Sequence, residues 1–264
     1  MSLFLRIVVG AALGIVFALL LWIGGEAFSL GIVLFVLGAQ WEFYGLAQAG
    51  GARPYRFTGM AAGIILMVYA HYRGMDPGAL LLVLATVFVL FGIHPFLTGD
   101  GRDWRDASLS VTGYLYTVLP GTLAISLRQN ETFVVSAFPF LVIWAFDIFA
   151  FFAGGAFGER KHKILPRISP EKSWEGLAGG LIFACATGAL INLLLGWPWY
   201  KAIAIAGGIA LVGHIGDFFE SSVKRSVGVK DSSHLLPGHG GILDRIDALL
   251  FAIPAYYLII NLWR

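Results

Sequence analysis

Ser221 to Asp247 gathers more chemistry than any other stretch of this 264-residue chain. It reads Ser-Ser-Val-Lys-Arg, then Lys230-Asp231, then Pro-Gly-His-Gly-Gly, and ends Asp-Arg-Ile-Asp. These 27 positions hold three carboxylates (Asp231, Asp244, Asp247), four cations (Lys224, Arg225, Lys230, Arg245) and two of the six histidines. Only 13% of the whole chain is charged, and long apolar segments flank the run on both sides. Charges at a bilayer edge are unfavourable unless paired, solvated or ligated, so packing does not explain them. Acids and bases mixed in this way suit a polyanion held with a metal ion, which makes this a candidate phosphate site.

Helical spacing organises the approach to the run. His214, Asp217, Ser221 and Lys224 fall at steps of three, four and three, so one helix face carries all of them with Arg225 alongside. Gly213 and Gly216 leave room there for a second backbone or a ligand. Asp217 and Lys224 alone would read as snorkelling charges on an exit turn; four polar groups in register favour function. Asp244 and Asp247 sit three apart at the start of the last apolar segment, a spacing that suits a hard cation such as Mg²⁺. The preceding Pro237-Gly238-His239-Gly240-Gly241 can present successive backbone N–H groups to an anion at a helix N-terminus. A plain turn with acidic capping needs no histidine between glycines followed by Asp-Arg-x-Asp.

Two further elements point the same way. In Ser169-Pro-Glu-Lys-Ser-Trp-Glu-Gly176, Ser169 is the expected helix cap and Pro170 the first helical residue. Lys172, Ser173 and the unpaired N–H groups of that turn form a second anion cradle. Gly176, Gly180, Ala184 and Gly188 then make a small-residue stripe for close helix packing. Asp147 lies in Trp-Ala-Phe-Asp-Ile-Phe-Ala, deep in an apolar segment. A mid-span Asp costs roughly 2.5–3.5 kcal/mol, so it is expected to face the bundle or a wet cavity, in a functional role. Glu42, near the end of the second apolar segment, reads instead as a structural pairing.

The elements that must hold these groups are membrane helices. Hydrophobic residues make up 58% of the chain and mean hydropathy is +0.80, values that exclude an ordinary soluble domain. Nine apolar segments of spanning character are read, near 3–24, 27–47, 57–72, 77–97, 108–128, 132–157, 174–196, 198–219 and 243–263. The first is long for a signal-peptide core and no small-x-small cleavage site follows it, so it is expected to be retained. With the N-terminus in the cytoplasm, 14 of the 18 basic residues fall on the inner side; Arg73, Arg128, Lys201 and Arg264 are the others. The lone Cys185 excludes a disulfide within one chain. The expectation is an all-α polytopic membrane protein of about nine helices. Residues 1–264 form one membrane domain, with 1–130 as scaffold and lipid-facing spans and 131–264 as catalytic spans and cytoplasmic loops.

The string Ser221-x-Val-Lys224-Arg225, four residues, Lys230-Asp231, then Pro237-x-His239-Gly240-Gly241-Ile-x-Asp244-Arg245-Ile-Asp247 resembles the signature of phosphatidate cytidylyltransferases. Ser169-Pro-x-Lys172-Ser173-x-Glu175-Gly176 and Trp144-x-x-Asp147 look like family features too, so the resemblance is strong over about 144–250. The first 140 residues match in hydropathy only. Two departures stand out: Glu171, where relatives often carry a base, and Ser232-Ser233-His234, more polar than the small-residue turn expected.

The resemblance implies CTP plus phosphatidate giving CDP-diacylglycerol and pyrophosphate with Mg²⁺, and acidic groups enough for a second cation. It implies Asp217, Asp244, Asp247 and Asp147 at the metal. Lys172, Lys224, Arg225 and Lys230 would hold phosphates, and His239 and Arg245 would order the turn or the leaving group. Ser169, Ser173, Glu175, Ser221, Asp231, Gly240 and Gly241 complete the substrate-binding set. The expected partners are CTP, phosphatidate and membrane lipids, with room for a homodimer and no part for nucleic acid. The expected setting is the cytoplasmic (inner) membrane, with the site on its cytoplasmic side.

A secondary transporter also carries intramembrane carboxylates, but its halves would show matching interruptions. Here the charges gather at one face. A phosphotransferase of the CDP-alcohol type would begin its aspartate motif Asp-Gly-x-x-Ala-Arg, which is absent.

Overall fold

The computed structural model describes residues 3–93, 101, 103–158, 162–235, 238 and 240–263. Apolar runs with few interior breakers become helices, and among the described residues the strands are confined to one short hairpin. The chain packs into two compact units, Met1–Glu131 with Ser226–Ile246, and Thr132–Arg225 with Asp247–Arg264.

The first unit begins with α1 (Leu3–Ile23) and α2 (Gly25–Ala49), separated at Gly24, which has φ 69°. The Arg128 guanidinium lies against Gly24, where a Cβ would strike it, and Arg128 Nε donates to Leu21 O at 2.8 Å. α3 (Arg56–Arg73) and α4 (Pro77–Phe88) follow, the latter extended by a π turn, Val89–Ile93. Asp76 caps α4, and the Ala79 N–H that it accepts holds its carboxyl below the usual range. α5 (Trp104–Gly113) opens on an Asp103/Asp106 capping box and runs through a π turn, Tyr114–Val118, into α6 (Leu119–Asn130).

Several polar groups buried in this unit are paired, as desolvation favours. Gln40 Nε2 donates to Tyr44 Oη at 3.2 Å, and Tyr44 Oη donates to Ser110 O at 2.9 Å. The backbone N–H groups of Tyr55 and Arg53 donate to Ser110 Oγ (2.7 Å) and Asp106 Oδ1 (2.6 Å). Together these bonds tie α2 and the loop after it to α5.

The second unit contains α7 (Phe133–Phe157), β1 (Lys163–Leu165), β2 (Ser169–Ser173) and α8 (Trp174–Leu195). α9 (Trp199–Ser226) follows and lies in this unit through Arg225; α10 (Leu243–Leu262) joins it from Asp247 onward. The small-residue stripe performs as its spacing predicts. A Cβ at Gly180 would meet the Phe146 ring at 2.8 Å and Phe146 O at 2.9 Å, and one at Gly176 would meet Ala150 O at 2.9 Å. α8 therefore lies directly on α7. Gly188, at the far end of the stripe, is packed against Ala206 and Ala202 of α9. Phe138 stacks on Tyr256 at 5.5 Å, and Tyr256 Oη donates to Val135 O at 2.8 Å, which joins α10 to α7.

The hairpin corrects one expectation. Ser169 is not a helix cap and Pro170 is not a first helical residue; both lie in β2, paired antiparallel with β1 at Lys163↔Ser173 and Leu165↔Ser169. α8 starts at Trp174, with Ser173 Oγ accepting from Gly176 N at 3.2 Å. The later serine, Ser173, caps α8, because an edge strand tolerates Pro170, which has no N–H to donate.

Among the described residues α2, α7, α8 and α9 are long and apolar enough to cross a membrane by length and composition. Gly10–Ile23 and Pro77–Ile93 are apolar but shorter.

Candidate functional site

In the second unit the chemistry centres on α9. Asp217 projects toward β2 and forms an ion pair with Lys172. The Lys172 ammonium also stands 4.3 Å from the centre of the Phe218 ring, a cation–π contact that fixes it from the other side. One turn on, Ser221 Oγ donates to Asp217 Oδ1 at 3.4 Å, as the four-residue step predicts. His214 packs edge-on to Phe146 (5.3 Å) and Phe218 (4.7 Å), and the charges of Lys172 and Asp217 are both felt at its ring.

Lys224 does not complete that row alone. It pairs with Glu220 one turn earlier, and both are buried, with Glu220 only 1% exposed. Arg225 Nε donates to Ile168 O at 3.4 Å and so anchors the turn of the hairpin to the end of α9. Glu175, in the first turn of α8, is matched by His162 Nδ1 at 2.5 Å.

Asp247 lies in α10, and its backbone oxygen would be 2.8 Å from a Cβ at Gly216. Any residue larger than glycine at 216 would push α10 away from α9. The charges of Asp217, Glu220 and Asp147 all act on Asp247, so four carboxylates share one electrostatic neighbourhood. Asp147 is exposed on α7. Glu220 is the member that motif reading passes over. Its signal was present in the sequence, because an acid four residues before a base on one helix is the favoured orientation for an ion pair.

The first unit holds the other groups. Asp244 Oδ2 receives Gly241 N (2.7 Å), Ser232 N (3.0 Å) and Ser232 Oγ (2.9 Å), which folds the segment after α9 back onto the start of α10. Gly240 has φ 77°, and Asp231 lies beside it. Lys230, Asp231 and Arg245 are in this unit, Asp231 and Arg245 both exposed. Glu42, expected to be paired, accepts from Ser232, Ser233, Ile242 and Leu243. His239 and Pro237 lie outside the described residues.

A divalent cation fits the donor chemistry of the second unit. Asp217, Glu220, Asp147 and Asp247 supply only hard oxygen donors, two of them paired with lysines. Among the described residues no three acid, histidine or cysteine side chains already converge at ligand distance. Lys172 and Lys224 hold two of the acids meanwhile.

Residues 4–263 match the cytidylyltransferase family. The chain is 35% identical to a phosphatidate cytidylyltransferase of Brucella abortus over 260 residues, covering 96% of this chain and 91% of that one. It is 44% identical to a phosphatidate cytidylyltransferase of Haemophilus influenzae over 254 residues, with 87% and 88% covered. A third, from Pseudomonas aeruginosa, is 36% identical over 247 residues, with 88% and 87% covered.

Proposed function

The chain belongs to the cytidylyltransferase family, and on that premise we propose that it transfers CMP from CTP to phosphatidate, giving CDP-diacylglycerol and pyrophosphate. The observation that carries this into the structure is the carboxylate neighbourhood of Asp247, bordered by the Lys172–Asp217 and Lys224–Glu220 pairs. Such a site can receive phosphates on its lysines while its acids turn to a cation. The transporter alternative has no support from the relatives, whose names describe a transferase.

No nucleophile from the protein is required. A phosphate oxygen of phosphatidate attacks the α-phosphorus of CTP, the bond to the β-phosphate oxygen breaks, and pyrophosphate leaves with that electron pair. Catalysis of such a step is positioning and charge neutralisation. Mg²⁺, when bound, would neutralise charge on the nucleotide phosphates. Asp217, Asp247 and Asp147 would hold it, and the surplus of acid leaves room for a second cation; Asp244 is assigned to the metal by its motif. Lys172 and Lys224 exchange their carboxylate partners for phosphate oxygens, with Arg225 and Lys230 as further phosphate donors. Arg245 and His239 would order the turn or the leaving group. Ser221 keeps Asp217 oriented as Lys172 departs.

The wider reading is a nine-span protein of the inner membrane with a cytoplasmic N-terminus, supported by the 14 of 18 basic residues that fall on one side. Both CTP and the lipid phosphate are then met at the cytoplasmic face, and a homodimer is compatible with it. The deciding experiment incubates purified protein with labelled CTP, phosphatidate and Mg²⁺. Label in the lipid fraction, dependent on phosphatidate, supports the reading; none at any protein concentration sinks it.

A further inference from the structure

Glu42 sits on α2 with 4% of its surface exposed, and four donors from the far end of the chain converge on it. Its Oε1 accepts from Ser233 Oγ (2.6 Å) and Ile242 N (3.0 Å). Its Oε2 accepts from Leu243 N (2.8 Å) and Ser232 Oγ (2.9 Å). A carboxylate has about four acceptor positions, so this one is filled. Ile242 and Leu243 open α10, where the first N–H groups have no partner within the helix. Glu42 supplies them from another helix and places a negative charge at the positive end of the α10 dipole.

The connection runs on to Asp244. Ser232 Oγ lies 2.9 Å from both Glu42 Oε2 and Asp244 Oδ2, and its single proton can serve one of them at a time. Ser232 N and Gly241 N donate to the same Asp244 oxygen. A Cβ at Gly241 would run into Ser232 Oγ and Glu42 Oε2, so glycine is what lets the three groups close up. Among the described residues, Ser232 and Ser233 are the two side chains that donate to Glu42.

We propose that Glu42 is a positioning residue for the transfer reaction: through Ser232 and the first turn of α10 it sets where the Asp244 carboxylate stands. This rests on the cytidylyltransferase reading, because Asp244 belongs to that motif. A tie that merely held the fold would treat Ser232 and Ser233 alike, since both bind Glu42. Only Ser232 also binds Asp244.

The test compares purified full-length Glu42→Gln, Ser232→Ala and Ser233→Ala with wild type, reading kcat and KM for CTP and the unfolding midpoint in detergent. Glu42→Gln is expected to lower kcat by about tenfold or more while KM for CTP moves less than about threefold. Ser232→Ala is expected to follow it, and Ser233→Ala to lose about threefold at most, although both serine variants lower the midpoint to a similar extent. If Glu42→Gln does not fold, the two serine variants decide. Equal kcat losses in the serine pair, or a Glu42→Gln kcat within about twofold of wild type, overturn the proposal while leaving the reaction intact. An inactive wild type overturns the reaction and this proposal together.

Discussion

Lys172 of β2 and Asp217 of α9 hold each other in an ion pair, one contributed by a strand and one by a helix. The side chains are 19% and 28% exposed, although the Lys172 nitrogen itself is buried in the pair. On the proposed reading, a cation at Asp217 would release Lys172, and a phosphate at Lys172 would release Asp217. Each event would then make the other easier.

Removing either partner should therefore disable the site without unfolding it. Asp217→Asn and Asp244→Asn are each expected to abolish transfer while the protein inserts and purifies normally. Near-normal turnover of either variant at saturating Mg²⁺ would take that residue away from the metal. Lys172→Ala should lower kcat/KM by at least about tenfold, or ~1.4 kcal/mol. Unchanged kinetics would make Lys172 only a clamp on the hairpin.

The buried Glu220–Lys224 pair separates stability from function. Glu220→Leu leaves the Lys224 ammonium without this carboxylate and should destabilise by about 3 kcal/mol, as breaking a buried pair commonly does. The double variant Glu220→Leu/Lys224→Met should recover much of the unfolding midpoint but not the activity. Recovery of both would show that Lys224 holds no phosphate.

Packing along the glycine stripe gives a prediction independent of chemistry. Gly180→Ala puts a methyl group 2.8 Å from the Phe146 ring and should cost about 1–3 kcal/mol in the unfolding of detergent-solubilised protein. Ser173→Ala removes the α8 cap and should cost about 1 kcal/mol, whereas Ser169→Ala, in β2, should cost less. An equal loss at both serines would restore Ser169 as the helix start.

Topology separates an enzyme from a carrier. In a Cys185→Ala background, Leu235→Cys and Lys163→Cys should be shielded from an impermeant thiol reagent in intact cells and labelled after opening them. Gln129→Cys should label from outside. Labelling of Leu235→Cys from outside during turnover would indicate alternating access and contradict the transferase reading.

The α9 face was legible in the sequence because its groups are local. Helical periodicity alone puts Ser221 on Asp217, and the same arithmetic predicts the close packing of α8 through Gly176, Gly180 and Gly188. Glu42 was legible only as a carboxylate in need of a partner. Its donors lie 190 to 201 residues away, and no periodicity carries information over that separation. The hairpin was missed for another reason: Ser169 and Ser173 are both acceptable caps, and only the reach of Lys172 to Asp217 and of Gly176 to α7 decides between them.

The Glu42 tie also has a consequence in time. Ribosomes deliver α2 long before residues 232–243, so for most of synthesis Glu42 waits without the four donors that will surround it. A carboxylate so placed resists burial, and it keeps that part of α2 hydrated until the C-terminal segment arrives. A helix made late is thus the one that lets an early helix settle. Chains that stop before Ser232 should retain a water-exposed notch at Glu42.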